Sequence, residues 1–313
     1  MSFRCASFIV IAGLVIMTSF GERVRILTKH TDPGSLSQIV SNGKWGFADS
    51  SGKVVIAPSF QDEREFSNGL AAVMISDRWG YIDQKGKFVI PAQFNEVRDF
   101  TDDLAPVRID RKWGYIDLSG QMVIEPRYQS TGEFHQGLAR IWIWANVACT
   151  QGQFTSENAP PWAFHFLEDD QTDLPSCFSR DGKMGFIDKS GKLVIPARFA
   201  EANDFAEGMA AVRVEEGVDS KFGYLDQTGA FAIMPQFNQA YAFSEGLAAV
   251  EIGGTAVDHQ LLGATWGFID KAGEFRIPAT FAYAYTFIKG RALVVNKPGE
   301  NGRFINHSGD FVK

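Results

Sequence analysis

"RWGYIDQKGKFVIPAQF", Arg78 to Phe94, is one of three nearly identical phrases. The others are "KWGFADSSGKVVIAPSF", Lys44 to Phe60, and "KWGYIDLSGQMVIEPRY", Lys112 to Tyr128. Looser copies follow, so that units begin at Trp45, Trp79, Trp113, Met184, Phe222 and Trp266. The first three are 34 residues apart, and the later intervals are 71, 38 and 44. A second phrase trails each copy: "FSNGLAAV" at Phe66, "FTDDLAPV" at Phe100, "FHQGLARI" at Phe134, "FAEGMAAV" at Phe205, "FSEGLAAV" at Phe243 and "FIKGRALV" at Phe287. Recurrence this regular means stacked copies of one supersecondary unit.

Each part of the phrase has a physical reading. Asp83 stands three residues before Gly86, which suits a hairpin whose carboxylate accepts turn amide protons while glycine takes a positive φ. Asp49, Asp117, Asp188, Asp226 and Asp270 repeat this, and one carboxylate per turn is too few oxygens for calcium. Pro58, Pro91, Pro126, Pro196, Pro235 and Pro278 close the next strand, where a missing amide proton costs little. The glycine after the tryptophan suits a close approach of neighbouring backbones. Trp45, Trp79, Trp113 and Trp266 are assigned to packing between units, because Met184 and Phe222 fill the same position without a polar handle.

The tandem phrase resembles the WG-repeat family, a largely bacterial group, over residues 43 to about 296. Met184 and Phe222 depart from its tryptophan, Ala48 from its isoleucine, and Asp103 and Arg291 from its second phrase. The resemblance implies an all-β repeat array that serves as a binding or scaffolding surface. It brings no reaction and no catalytic residues.

The tail from Phe304 to Val312 is half a unit near residue 302, with Asn306 in the Asp position. Leu36 and Ile39 precede Trp45 at the distances that separate Leu70 and Val73 from Trp79. A last sheet assembled from Val24–Leu27 and Leu36–Val40 with the C-terminal strands is therefore expected. That would give a seven-bladed β-propeller-like ring closed by N- and C-terminal strands; an open β-solenoid is the alternative.

The repeat domain is read as residues 22–313. The segment before it, "MSFRCASFIVIAGLVIMTSFG", has one positive charge, Arg4, and an apolar run from Phe8 to Met17 too short for a comfortable membrane span. Residues 1–21 read as a secretory signal, with an uncleaved anchor or a buried first strand as the competing readings. The expectation is an exported protein, periplasmic or secreted, with no membrane association once the signal is removed. Removal takes Cys5 with it and leaves Cys149 and Cys177, which an oxidising compartment allows to pair. That bond would close a loop worth roughly 3–4 kcal/mol.

With 37 acidic and 30 basic residues and no basic run, the surface has the wrong sign for phosphates, so nucleic acid is not an expected partner. The histidines occur singly, so no metal or cofactor is expected. There is no nucleophile elbow, P-loop or dinucleotide fingerprint.

Excess residues fall in one place, between a second phrase and the next aromatic-Gly pair: 142–180, 215–220 and 251–264. Insertions that share a position in the repeat often mark a binding side. The longest sets Trp142, Trp144, Trp162, His165 and Phe166 beside Asp169 and Asp170, a mixture that holds sugars, cationic side chains or peptides. A satellite core around Cys149 and Cys177 is the alternative reading of those aromatics. The functional expectation is a noncatalytic protein that binds a protein or a cell-envelope polymer, a glycan included, through loops on one face. A carbohydrate hydrolase or lyase and a purely structural envelope protein are the alternatives.

Overall fold

A computed structural model describes residues 10–11, 14–19, 22–26, 34–143, 182–214, 220–257 and 260–312. Among these residues there is no helix; every strand lies in one of seven antiparallel sheets. The second sheet takes its strands in chain order, Asp62–Glu63, Leu70–Ile75, Arg78–Asp83 and Phe88–Phe94. The third repeats it with Glu96–Val97, Leu104–Ile109, Lys112–Asp117 and Met122–Tyr128. The fourth to seventh sheets have the same order and begin at Ser130–Thr131, Glu201–Ala202, Gln239–Ala240 and Tyr283–Ala284. The first sheet adds Val10–Ile11, Leu14–Ser19 and Glu22–Ile26 to Ser37–Ser41, Lys44–Ala48 and Val54–Phe60.

The structural module is out of phase with the sequence phrase. Leu70–Ile75, from the second phrase, pairs with the Trp-Gly strand that follows it, joined by a turn at Ser76 and Asp77 with φ of 52° and 58°. Two left-handed residues make the turn whose twist matches a hairpin. The same local closure acts at both chain ends. Ser37–Ser41 pairs with Lys44–Ala48 and with Glu22–Ile26. Arg303–Ile305 and Phe311–Val312 join Tyr283–Ala284 and Ala292–Val295. The expected sheet shared by the two ends is therefore replaced by two sheets, each built from one end, among the described residues. A two-residue hairpin orders far less chain than a closure across the whole repeat array.

The turn reading is met at every copy. Asp83 Oδ1 accepts from the amides of Lys85 and Lys87, both at 2.9 Å, and Gly86 has φ of 80°. Asn306 does the same for Ser308 and Asp310 at 3.0 and 2.9 Å. The glycine after Trp79 has a sharper cause. Tyr81 pairs with Ile90 and Trp79 with Phe94, so three residues, Pro91 to Gln93, face Gly80 alone. The bulge lays Ile90–Ala92 over Gly80, where a Cβ would stand 2.6 Å from Ile90 O and Ala92 N. Pro91 sits in this bulge, where its missing N–H is no loss.

Close contacts group the chain into two units, Met1–Arg140 with Ile187–Lys192, and Ile141–Phe186 with Leu193–Lys313. In the first, the aromatic two residues after each tryptophan meets the phenylalanine that opens the next second phrase: Phe47–Phe66 at 4.9 Å, Tyr81–Phe100 and Tyr115–Phe134 at 4.8 Å. Turn glycines seat on isoleucines of the preceding sheet, Gly86 on Ile56 and Gly120 on Ile90. The second unit repeats both contacts, with Phe186–Phe205, Tyr224–Phe243 and Phe268–Phe287 at 4.9–5.0 Å and Gly229 on Ile195. Trp79, Trp113 and Trp266 are buried, and Trp79 shares one core with Val97, Phe100 and Val107 of the following sheet.

Candidate functional site

The frame just described fixes most of each repeat, and the exposed positions between frame residues are where the copies differ. In the second to seventh sheets the first strand is two residues long, and its inward residue is buried: Glu63, Val97, Thr131, Ala202, Ala240 and Ala284. The residues that flank it point away and vary. Asp62 and Arg64 in the second sheet correspond to Glu96 and Arg98 in the third, Glu201 and Asn203 in the fifth, Gln239 and Tyr241 in the sixth, and Tyr283 and Tyr285 in the seventh. Opposite them, on the second strand, stand Met74, Arg108, Arg213, Glu251 and Val295.

In the second and third sheets this row is charged, and in the fourth it is Ser130 and Gly132. Glu96 pairs with Arg108, Arg64 with Asp99 at 3.9 Å, and the Arg98 guanidinium lies 5.1 Å from the Trp113 ring centre. Burial raises the Asp99 carboxyl above the usual range, and Arg64 offsets part of that. In the second unit the fifth sheet keeps charge through Glu201 and Arg213, and the later sheets become aromatic. Tyr241 stacks on Trp266 at 5.2 Å and 25°, while Tyr283 and Tyr285 are half exposed. Burial also raises the Glu251 carboxyl above the usual range.

In the second, third and sixth sheets the residue before the short strand bonds to the hairpin tip of its own sheet. Gln61 donates to Asp77 Oδ1 at 2.7 Å and accepts from Asp77 N at 2.9 Å. Asn95 accepts from Asp110 N at 2.8 Å, and Asn238 donates to Gly253 O at 2.6 Å. The excess residues enter at the corresponding tips of the fourth, fifth and sixth sheets. Residues 251–264, read from sequence as a loop, are in fact an extension of a hairpin. Its strands, Ala248–Val257 and Gln260–Ile269, are ten residues each. The insertion after Ile143 enters at the corresponding place of the fourth sheet.

Of the residues singled out from sequence, Trp142 lies on Leu138–Ile143, half buried, with its indole across Gly182; a Cβ there would stand 2.0 Å from Nε1. By repeat position it corresponds to Arg108 and Arg213. Trp144, Trp162, His165, Phe166, Asp169, Asp170, Cys149 and Cys177 lie outside the described residues, as do most of residues 1–21. Among the described residues no group of three His, Cys, Asp or Glu is placed to hold a metal.

Two features escaped the sequence reading. The first is a clasp made by the residue before the second-phrase glycine. Glu245 accepts from Gly290 N at 2.9 Å and pairs with His307 at 3.0 Å. Glu207 does the same with Gly246 N at 3.2 Å and Lys271 at 3.3 Å, and Asp102 accepts from Gly137 N at 2.7 Å. The signal was an acid recurring where the motif allows any residue. The second is Glu63, buried to 8% exposure at the position that holds Val, Thr or Ala in the other copies.

A model of the WG containing repeat matches six stretches of the chain, residues 45–79, 79–113, 113–141, 184–217, 222–255 and 266–297. Among solved structures, dipeptidyl peptidase 4 of Porphyromonas gingivalis is 10% identical with a TM-score of 0.51, over 90% of this chain and 52% of that one. The β-propeller domain of the Trilobed protease from Pyrococcus furiosus is 11% identical with a TM-score of 0.43, over 96% of this chain and 97% of that one. The tricorn protease is 11% identical with a TM-score of 0.42, and this chain spans 39% of its length. At such identities the likeness concerns fold alone. No curated protein matches the chain.

Proposed function

The chain belongs to the WG containing repeat family, and from that premise we propose an exported, noncatalytic repeat protein that binds a protein or a cell-envelope polymer through the hairpin-tip end of its sheets. One observation carries this reading. Residues that build the frame recur from copy to copy, whereas the row on the short first strands passes from charged (Arg64, Glu96, Arg98) to aromatic (Tyr241, Tyr283, Tyr285). Constant scaffold with varied exposed positions is how repeat proteins present a recognition surface. Exposed tyrosines contribute large contact area at low entropic cost, and charged neighbours select the partner. The insertion after Ile143 enters between the second and third strands of the fourth sheet.

The test compares the full chain with a form lacking residues 145–178 in capture from isolated cell envelope. The shortened form is expected to keep its melting profile and lose the partner that the full chain retains. Equal capture by both would remove the insertion from the binding surface. A glycan panel run on the full chain separates the classes of activity: turnover of any member would replace a binder with a hydrolase or lyase.

A further inference from the structure

At three sheet junctions the second residue after the second-phrase leucine, or the methionine in its place, shares a buried core with the inward residue of the next short strand. Ala72 and Val97 share one buried core, Ala211 and Ala240 another, and Ala249 and Ala284 a third. The sequence positions equivalent to these at the first junction are Gln38, on Ser37–Ser41, and Glu63, on Asp62–Glu63. Both members of the pair are polar there, and the Gln38 side chain hydrogen-bonds to the Glu63 carboxyl. Glu63 pairs in register with Val73, which belongs to the apolar core of Phe47, Ile56, Phe60, Ala71 and Ile82. Its carboxyl is nearly excluded from water, and Oε2 has no hydrogen-bond partner among the described residues.

We propose that Gln38 and Glu63 form a proton-operated clamp that holds the first sheet against the second when Glu63 is neutral and loosens when it ionises. A buried carboxylic acid with one partner is tolerable, whereas a buried carboxylate with one is costly. The surroundings disfavour the charge further. Asp62 on its own strand, Glu65 in the following turn and Asp99 from the third sheet are all acidic neighbours. The cation of that segment, Arg64, is directed to Asp99. Burial foremost, then these carboxylates, push the Glu63 carboxyl up to about 7 against the Gln38 hydrogen bond that lowers it. The sign follows from linkage: the folded junction binds the proton more tightly than the opened one, so its stability falls as pH rises through the interval up to about 7 and is level above it.

Amide hydrogen exchange of residues 37–41, corrected for the intrinsic pH dependence of exchange, reads the junction in the full chain. Between pH 6 and pH 8 the opening constant is expected to rise about tenfold in the wild type, the slope of one proton per pH unit flattening above about pH 7. Glu63→Gln, which keeps a neutral hydrogen-bonding group, should be flat across the same range. The double change Gln38→Ala with Glu63→Val transplants the Ala72–Val97 contact already present one junction later, and it should be flat and at least as protected as the wild type at pH 6. A flat wild-type profile, or the same tenfold rise in either variant, would overturn the clamp.

Discussion

Replacing Gly80 by alanine tests the bulge that recurs in the first, second, third, fifth and sixth sheets. The added Cβ would stand 2.6 Å from Ala92 N and Ile90 O and 2.8 Å from Ala92 Cα, all of them backbone atoms. Ordinary contact begins near 3.4 Å, so the strands would have to part by roughly 0.8 Å. Side-chain rotation cannot supply that shift. The register cannot absorb it either, because Tyr81–Ile90 and Trp79–Phe94 are pinned on both sides of the bulge. Overpacking into a well-packed site costs about 1–3 kcal/mol and more where backbone must move, so a loss of at least about 3 kcal/mol is expected. For the cooperative melting of a unit of this size that corresponds to a fall of roughly 6–12 °C in Tm. Gly69→Ala is the internal control. It has φ of 81° with nothing within 4 Å, and Asp103 already occupies the equivalent position at φ of 68°. Its cost should be only about 1 kcal/mol, from the left-handed backbone. Differential scanning calorimetry of the two variants decides the matter. If Gly80→Ala melts no lower than Gly69→Ala, the close approach is not what demands glycine.

Two further outcomes follow from the turns and clasps. The carboxyls of Asp49, Asp117, Asp188 and Asp226 are held below the usual range first by a neighbouring hydroxyl, and those of Asp83 and Asp270 first by turn amides. Their stabilisation is present above the ordinary carboxylate range and is lost as pH falls through it. Asp83→Asn should therefore leave neutral-pH stability close to wild type, as Asn306 in the last turn implies, and should lessen the acid dependence of a urea midpoint measured from pH 5 to pH 2.5; an unchanged slope would refute it. Glu245→Ala removes the acceptor of Gly290 N and the partner of His307. It should cost about 1–2 kcal/mol by chemical denaturation, and Glu245→Gln less than half of that, because the amide oxygen still accepts; equal losses would place the effect in the ion pair alone.

Periodicity made the architecture legible and left its phase open. Thirty-four-residue spacing, Asp-x-x-Gly and the proline are local signals, so each turn and strand could be placed from the residues that form it. Where a module begins is a question of which strand pairs with which, and the phrase that starts at tryptophan invites the wrong cut. The decisive residues were Ser76 and Asp77: a two-residue connection with both members left-handed ties Leu70–Ile75 to the strand after it. Once that pairing is recognised at Asn42 and Gly43 as well, the first sheet closes on its own strands and needs none from the C-terminus. The candidate site follows an opposite logic. Motif positions report the frame, which all copies share, so they are silent about what one copy does differently. Gln38 and Glu63 were visible in the sequence only as departures at positions the motif leaves unnamed. Their meaning depended on the core in which Ala72 meets Val97, Ala211 meets Ala240 and Ala249 meets Ala284. A single polar residue at such a position can be satisfied locally, as Thr131 is by Tyr115 and the Arg140 carbonyl. Polar residues at both, joined to each other across a junction that is apolar at these three equivalent places, make a paired substitution whose chemistry is protonation.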